Sequence, residues 1–248
     1  MTRVRPPAGA AVRVALLALA VLALAGCETT AAKSARLAKL GRAAVRNQKG
    51  LVVTAVNRDV AVLSSAVLHD ANGTAATVTL RNTSAHPLAN VPIAITVADA
   101  RGRGVWKNDT PGLEPSLVSA PLLAPRSDFT WVNDQVQPTG HAATVHIRVG
   151  ASPPSLLTPP ALSTSGVRLF TDPSSGVGAK GMVVNHSIVT QLKLVIFAVA
   201  RRGRRVVAAG RAILPRVPPG KPVPFQIFFI GDPTGAALQL SAPPTVLR

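Results

Sequence analysis

Ala76-Thr77-Val78-Thr79-Leu80 and Ile93-Ala94-Ile95-Thr96-Val97 are the two stretches that decide the fold. In both, every second residue is a bulky or small apolar one, a period of two that is typical of a β-strand with one buried face. The same alternation returns at residues 145–149 and 181–185. No helical pattern separates these strands, so the chain beyond residue 51 is predicted to form antiparallel sheets packed as a sandwich.

This region contains a weak internal repeat. Leu80-Arg81-Asn82-Thr83-Ser84 is similar to Val183-Val184-Asn185-His186-Ser187, and each segment precedes a strand that ends in an arginine-rich turn. A turn with proline and a strand with phenylalanine then follow in both copies. The repeat predicts one supersecondary arrangement used twice.

A proline-rich segment separates the two copies. Residues 151–166 hold four prolines with several serines and threonines, a composition typical of an extended spacer. The predicted fold is all-β, with two tandem antiparallel immunoglobulin-like β-sandwiches after a cleaved signal peptide and a short basic helix or stalk. The predicted segments are a lipoprotein signal peptide (1–26), a basic juxtamembrane stalk or helix (27–51), the first sandwich (52–150), the linker (151–166) and the second sandwich (167–248).

Two predicted strands of the second copy are apolar on both faces. In residues 192–200, Leu194 and Ile196 lie on one face and Val195 and Phe197 on the other, and residues 225–230 behave similarly. One face of a sandwich strand normally meets water, so the second face requires a cover. The sequence leaves open whether the rest of the chain or a partner supplies it. Trp106 and Trp131 are candidates for that cover, for core anchors or for a binding platform.

The second copy resembles the FxLYD-type domains of bacterial envelope lipoproteins. The likeness is carried by Gly181-Met182-Val183-Val184-Asn185, the apolar strand 192–200, the strand 206–213 and Val223-Pro224-Phe225-Gln226-Ile227. The resemblance implies a small immunoglobulin-like sandwich without catalytic residues. The naming motif is not preserved, because its nearest counterpart, Val167-Arg168-Leu169-Phe170-Thr171-Asp172, has no tyrosine.

The N-terminus has the pattern of a bacterial secretion signal. Arginines precede an apolar run over residues 14–25, which is shorter than the roughly 20 residues that span a bilayer. The run ends in Leu24-Ala25-Gly26-Cys27, which resembles the lipobox of bacterial lipoproteins. That resemblance implies cleavage between Gly26 and Cys27 and attachment of a diacylglycerol, with palmitate-type acyl chains, to the Cys27 sulfur. It also implies an extracytoplasmic protein that is lipid-anchored in the bacterial cell membrane or outer membrane.

Charge and cysteine content narrow the function further. The chain has 27 Lys and Arg against 10 Asp and Glu, a formal net charge of +17, which predicts anionic partners. A secreted protein does not meet nucleic acid, so anionic lipids, wall polymers or an unknown envelope protein remain as partners. Cys27 is the one cysteine, which excludes an intrachain disulfide and a cysteine-based zinc site.

Basic residues cluster in two places. After Cys27 they recur at helical spacing, which indicates either a basic amphipathic helix on an anionic membrane or a solvated stalk; they are Lys33, Arg36, Lys39, Arg42, Arg46 and Lys49. The other arginines occupy two predicted hairpin tips, Arg101 and Arg103 in the first and Arg201, Arg202, Arg204 and Arg205 in the second. These tips either contact phosphate or carboxylate groups or only solvate the turns and discourage edge pairing.

Motifs for catalysis are not supported. Residues 176–181 match G-x-G-x-x-G but lead into a strand, so they predict a flexible turn between strands rather than a nucleotide site. The histidines are scattered without a carboxylate or cysteine nearby, so no metal ligand, cofactor or catalytic residue is predicted. Four N-x-[ST] matches, at Asn72, Asn82, Asn108 and Asn185, are interpreted as turn residues.

The sequence therefore predicts a lipid-anchored envelope protein with a non-catalytic binding or assembly role. The alternatives are an enzyme that modifies envelope polymers and a passive structural spacer.

Overall fold

The computed structural model describes residues 49–155 and 158–247, and these contain many strands but no α-helix. The signal peptide, Cys27 and most of the basic segment lie outside the described residues. In the first half of the described chain the strands are β1 (Val60–Asp70), β2 (Gly73–Asn82), β3 (Leu88–Ala98), β4 (Gly104–Lys107), β5 (Ser119–Leu123), β6 (Asp128–Val136) and β7 (Thr144–Val149). In the second half they are β8 (Leu162–Asp172), β9 (Gly176–Asn185), β10 (Gln191–Arg202), β11 (Arg205–Val217), β12 (Val223–Phe228), β13 (Ile230–Gly231) and β14 (Ala237–Ser241).

The strands form antiparallel sheets, which confirms the predicted all-β sandwich class. Sheet A has the order β1-β2-β6, and sheet B has β3 at its centre with β4 and β5 on one side and β7 also paired to β3. Sheet C has the order β13-β11-β10-β14, and sheet D the order β12-β9-β8. β8 begins at Leu162, inside the segment predicted as a spacer.

The two halves share the same local plan around a buried asparagine. Asn82 ends β2 and Asn185 ends β9, and both side chains are fully buried. The Asn82 amide donates to the carbonyls of His86 and Leu123, and the Asn185 amide donates to those of Val189 and Val217. Each Oδ1 accepts from the backbone and hydroxyl of the serine two residues later. The sequence repeat therefore marks an equivalent turn between β2 and β3 and between β9 and β10.

The halves differ in the strand that follows this turn. In the second half β11 runs without interruption beside β10, whereas in the first half β4 and β5 share that position beside β3 and are separated by an inserted segment. The insert, residues 108–118, contains a 3-10 turn at Pro115–Leu117. Trp131 and Asn133 of β6 donate to the carbonyls of Ser116 and Leu117, so the insert is held against the edge of sheet A.

Sheets A and C pack against each other and join the two halves. Val195, Phe197 and Val199 of β10 belong to the same buried cluster as the core of the first half, while Leu194 and Ile196 belong to the core between sheets C and D. The Phe129 and Phe197 rings meet edge to face, with centroids 5.2 Å apart. The second apolar face of β10 is therefore covered by the chain itself. Trp131 is fully buried in the first core, whereas Trp106 packs at its margin.

The prediction of a flexible turn at residues 176–181 is wrong, because these residues lie within β9. The glycines serve close approach between side chains and backbone. A Cβ on Gly178 would lie 2.5 Å from the Phe170 ring and 2.7 Å from the Ile227 carbonyl oxygen. A Cβ on Gly181 would lie 2.9 Å from the Phe225 ring. The pattern resembled a phosphate loop only because both uses need the small size of glycine.

Candidate anion-contact surface

The second arginine-rich tip connects β10 to β11 and consists of two kinds of arginine. Arg201 is partly buried, and its Nη2 lies 3.0 Å from the hydroxyls of both Thr79 and Thr130 on sheet A. Arg202 donates to the Thr234 carbonyl at 2.7 Å and lies 3.6 Å from the Asp232 carboxylate. Both guanidinium groups thus have partners within the chain. Their first role is to hold the tip in place.

Arg204 and Arg205 are the free cations of this tip. Both are exposed, and neither side chain has a hydrogen bond or ion pair among the described residues. Gly203 precedes them and has a φ of 59°, which is in the left-handed region of the backbone. Glycine adopts this conformation without strain, so it forms the tight turn between β10 and β11. A guanidinium that no carboxylate occupies is free to bind phosphate or carboxylate oxygens in a bidentate manner.

The first tip connects β3 to β4 and presents one free arginine. Arg103 forms a 2.8 Å ion pair with Asp99, whereas the Arg101 side chain has no partner among the described residues. The Arg103 backbone N–H, followed by the Arg103 side chain and the Arg101 N–H, lowers the pKa of Asp99. That carboxylate stays ionised at neutral pH and shapes the turn through its hydrogen bonds.

The two tips belong to different sheets. The first connects strands of sheet B and the second connects strands of sheet C. Of the predicted juxtamembrane cations, Lys49 is exposed and the other five lie outside the described residues.

A cleft of about 750 Å³ lies beside the second tip. Arg202, Arg205 and Asp232 line one part of it, and His69 and Asp70 of the first half line another. Asp70 is occupied, since its Oδ2 accepts from the Gly231 backbone N–H at 2.7 Å. The backbone N–H of Thr234 is the main cause of a lowered pKa at Asp232, and Arg202 adds to it. An anion is therefore favoured beside Arg205 rather than beside Asp70 or Asp232.

Other carboxylates are likewise engaged by the chain. Arg81 lowers the pKa of Asp128 through a bidentate pair, and the same pair raises the pKa of Arg81. The backbone N–H groups of Ser175 and Ser174 lower the pKa of Asp172. These carboxylates form turns and ion pairs, so they do not neutralise the free tip arginines.

Sequence reasoning missed the role of Arg211. Arg211 lies in β11, and its side chain is 3% exposed and faces the first half. Its Nε lies 2.6 Å from Asp134 Oδ1 and its Nη1 lies 3.1 Å from Glu114 Oε2, while Ser116 also contacts it. Glu114 and Ser116 come from the insert of the first half. The available signal was Arg211 in the middle of an otherwise apolar stretch of β11, residues 206–214.

Two histidines each lie within hydrogen-bond distance of a hydroxyl group. His69 Nδ1 lies 2.9 Å from Thr74 Oγ1, and the exposed His186 lies with its Nε2 2.7 Å from Ser163 Oγ. Neither imidazole is bonded to a carboxylate among the described residues, so the third group that orients a general base is missing there. The described ranges also hold no group of three or more His, Cys, Asp or Glu side chains that suits a metal ion.

Comparison with known proteins assigns no family to this chain. No protein-family model matches the chain, and no curated protein matches it either. Within residues 49–155 and 158–247 there is no helix with the length and apolarity needed to cross a membrane.

Proposed function

We propose that this chain is a lipid-anchored lipoprotein of the bacterial cell envelope with a non-catalytic binding role. The lipobox-like Leu24-Ala25-Gly26-Cys27 supports the anchor, and the FxLYD-like pattern of the second half supports an envelope module. The anionic partner is a lipid headgroup surface or a wall polymer. Both present repeated phosphate or carboxylate groups that arginine binds well.

The observation that supports this proposal is that most carboxylates are paired within the chain, whereas several arginines at the tips are not. Most carboxylates of the described residues already accept hydrogen bonds or ion pairs; these are Asp70, Asp99, Glu114, Asp128, Asp134, Asp172 and Asp232. In contrast, the side chains of Arg101, Arg204 and Arg205 project from tips without a partner among those residues. Charge that the protein does not neutralise internally is available to an external anion.

The test uses the full chain held in zwitterionic nanodiscs, so that the N-terminal segment is already accommodated. Cosedimentation with phosphatidylglycerol vesicles or with purified teichoic-type polymer is measured at rising salt. Binding is expected at low salt and should weaken steeply as salt screens the charges. The double variant Arg204→Ser and Arg205→Ser should lower the affinity about thirtyfold, since each basic residue near an anionic surface contributes about 1 kcal/mol.

A matched control removes the same charge elsewhere. Arg58 and Arg148 are exposed and have no side-chain partner among the described residues, so Arg58→Ser with Arg148→Ser should leave the affinity nearly unchanged. An equal loss in both double variants would overturn the tip as the contact site. Absence of binding at low salt would instead favour the passive spacer.

The enzyme alternative rests on the Ser163–His186 contact alone. If that pair were catalytic, Ser163→Ala would abolish turnover of an envelope polymer while leaving polymer binding intact. The binding role predicts that neither the wild-type chain nor Ser163→Ala turns over the polymer. It also predicts that both bind the polymer equally, because Ser163 and His186 do not belong to the tips.

A further inference from the structure

The second half has an apolar groove on its outer surface. The groove has a volume of about 660 Å³ and lies between β11 and β12, with β9 and β8 forming its end. Its apolar lining includes Met182, Ile213, Leu214, Pro224 and Phe225. Pockets of 300–1,000 Å³ with apolar walls and a few polar groups are typical of small-ligand sites.

The exposed lining of the groove lies on the outer face of the second half. Phe225 is 4% exposed and belongs to the core between sheets C and D. Gly181 pairs with Phe225, so the neighbouring Lys180 and Met182 lie on the opposite, outer face of sheet D. Ile213 pairs with Val195, which faces away from that core, so Ile213 also lies on the outer side.

Two cations lie at the mouth of the groove. Arg168 and Lys180 are directly opposite each other on β8 and β9, and both are exposed groove-lining residues. Lys180 lies 5.4 Å from the centroid of the Phe170 ring, and neither cation has a carboxylate partner among the described residues. Like charges at directly opposed positions destabilise a sheet, so this pair is better satisfied when an anion lies between them.

Strand addition is disfavoured at this site. Pro215 lies in β11, and Pro224 lies in β12 with Pro222 just before it. Proline lacks the backbone N–H that a pairing strand needs and is typical of edges that resist pairing. The prolines therefore leave side-chain contacts as the means of binding.

We propose that this groove binds one long-chain fatty acid, with its acyl chain along Ile213, Met182 and Pro224 and its carboxylate between Arg168 and Lys180. The apolar lining accommodates the chain, and the opposed cations bind the head. This site is separate from Arg204 and Arg205 and does not depend on their role.

The test uses the full chain in zwitterionic nanodiscs and a diazirine-bearing palmitate as the photoactivated probe. Labelled peptides are identified by mass spectrometry, with unlabelled palmitate as competitor. Saturable, competed labelling is expected on peptides that contain residues 212–214 and 224–226. A diazirine-bearing hexadecanol, which lacks the carboxylate, should label these peptides about tenfold less.

Two variants with matched controls sharpen the result. Arg168→Glu with Lys180→Glu should reduce palmitate labelling of the groove about tenfold, whereas Arg58→Glu with Arg148→Glu should not. Ile213 is 39% exposed, so Ile213→Glu should lower labelling without unfolding the chain; Val62→Glu, at a 44% exposed site, is its control. Circular dichroism and urea midpoints verify that each variant is folded.

Several outcomes would overturn the proposal. Labelling confined to the N-terminal segment, equal labelling by the alcohol probe, or equal loss in the control variants would each contradict a carboxylate site in the groove. Displacement of the probe by an acidic apolar peptide but not by palmitate would assign the groove to a protein partner instead. Arg204→Ser with Arg205→Ser should leave labelling unchanged, which separates this proposal from the proposed anion contact.

Discussion

At the residue scale, two buried asparagines organise the molecule. Asn82 and Asn185 each satisfy two backbone carbonyls across neighbouring strands and also shape the serine-containing turn that follows. Apolar side chains cannot satisfy those groups, and a buried carbonyl without a donor costs free energy. The short polar motif at the end of β2 and β9 therefore fixes where the next strand begins.

Replacing either asparagine should destabilise the fold by a similar amount. Asn82→Ala and Asn185→Ala are each expected to lower the free energy of unfolding by about 2–4 kcal/mol, because several buried hydrogen bonds are lost together. Urea unfolding measures the change. Gln135→Ala removes an exposed amide and should cost less than about 0.5 kcal/mol. A cost below 1 kcal/mol at Asn82 or Asn185 would show that the turns do not depend on these side chains.

At the element scale, the insert between β4 and β5 joins the first half of the described chain to the second. It brings Glu114 and Ser116 to Arg211 of β11, which also contacts Asp134 of β6. The second half lacks a similar insert between β10 and β11. One difference in chain length between the copies thus accounts for the joint.

A double-mutant cycle tests this joint. Arg211→Met and Asp134→Asn, alone and combined, are expected to give a coupling energy of about 1–3 kcal/mol, because the guanidinium is buried and removing it leaves two partly buried carboxylates. The exposed Arg81–Asp128 pair is the control and should couple by less than about 1 kcal/mol. Equal coupling in both pairs would mean that burial adds nothing at Arg211.

The strands were predictable from sequence, but the partners of individual residues were not. Alternation at period two located β2, β3, β7 and part of β9, since each has one face toward a core. Arg211 binds residues 77 and 97 positions away, a relation that no local pattern encodes. The glycines of β9 led to the prediction of a turn, because the sequence does not reveal that Phe170 and Phe225 pack onto them.

The candidate site was predictable in composition but only partly in detail. The arginines at both tips were identified from the turns that contain them, yet Arg103, Arg201 and Arg202 are held by partners within the chain. Which arginines stay free depends on contacts made by distant strands. The sequence did not single out Lys180 and Arg168, because their opposition requires the register between β8 and β9.

At the scale of the whole molecule, the two halves share one buried cluster. Phe197 contacts Phe129, and Arg201 reaches Thr79 and Thr130 across the same boundary. Such a contact between sheets A and C couples the stability of the second sandwich to that of the first. The described residues are therefore expected to unfold as one cooperative unit.

Tryptophan fluorescence reports on this coupling, since Trp106 and Trp131 both lie in the first half. Ile196→Ala weakens the fully buried core between sheets C and D and should cost about 2–4 kcal/mol. The urea midpoints by tryptophan fluorescence and by far-ultraviolet circular dichroism should shift together. An unchanged fluorescence midpoint beside a shifted circular dichroism signal would show that the halves unfold separately.

We propose that a lipid on Cys27 holds this basic protein in the cell envelope. The intact mass and the N-terminal peptide of the protein isolated from the membrane fraction test this, with Cys27→Ala as the comparison. We expect a chain that begins at Cys27 and carries a diacylglycerol, and we expect Cys27→Ala to be unprocessed or released. A membrane-bound protein with an unmodified Cys27 thiol, or a Cys27→Ala variant that remains processed and membrane-bound, would contradict it.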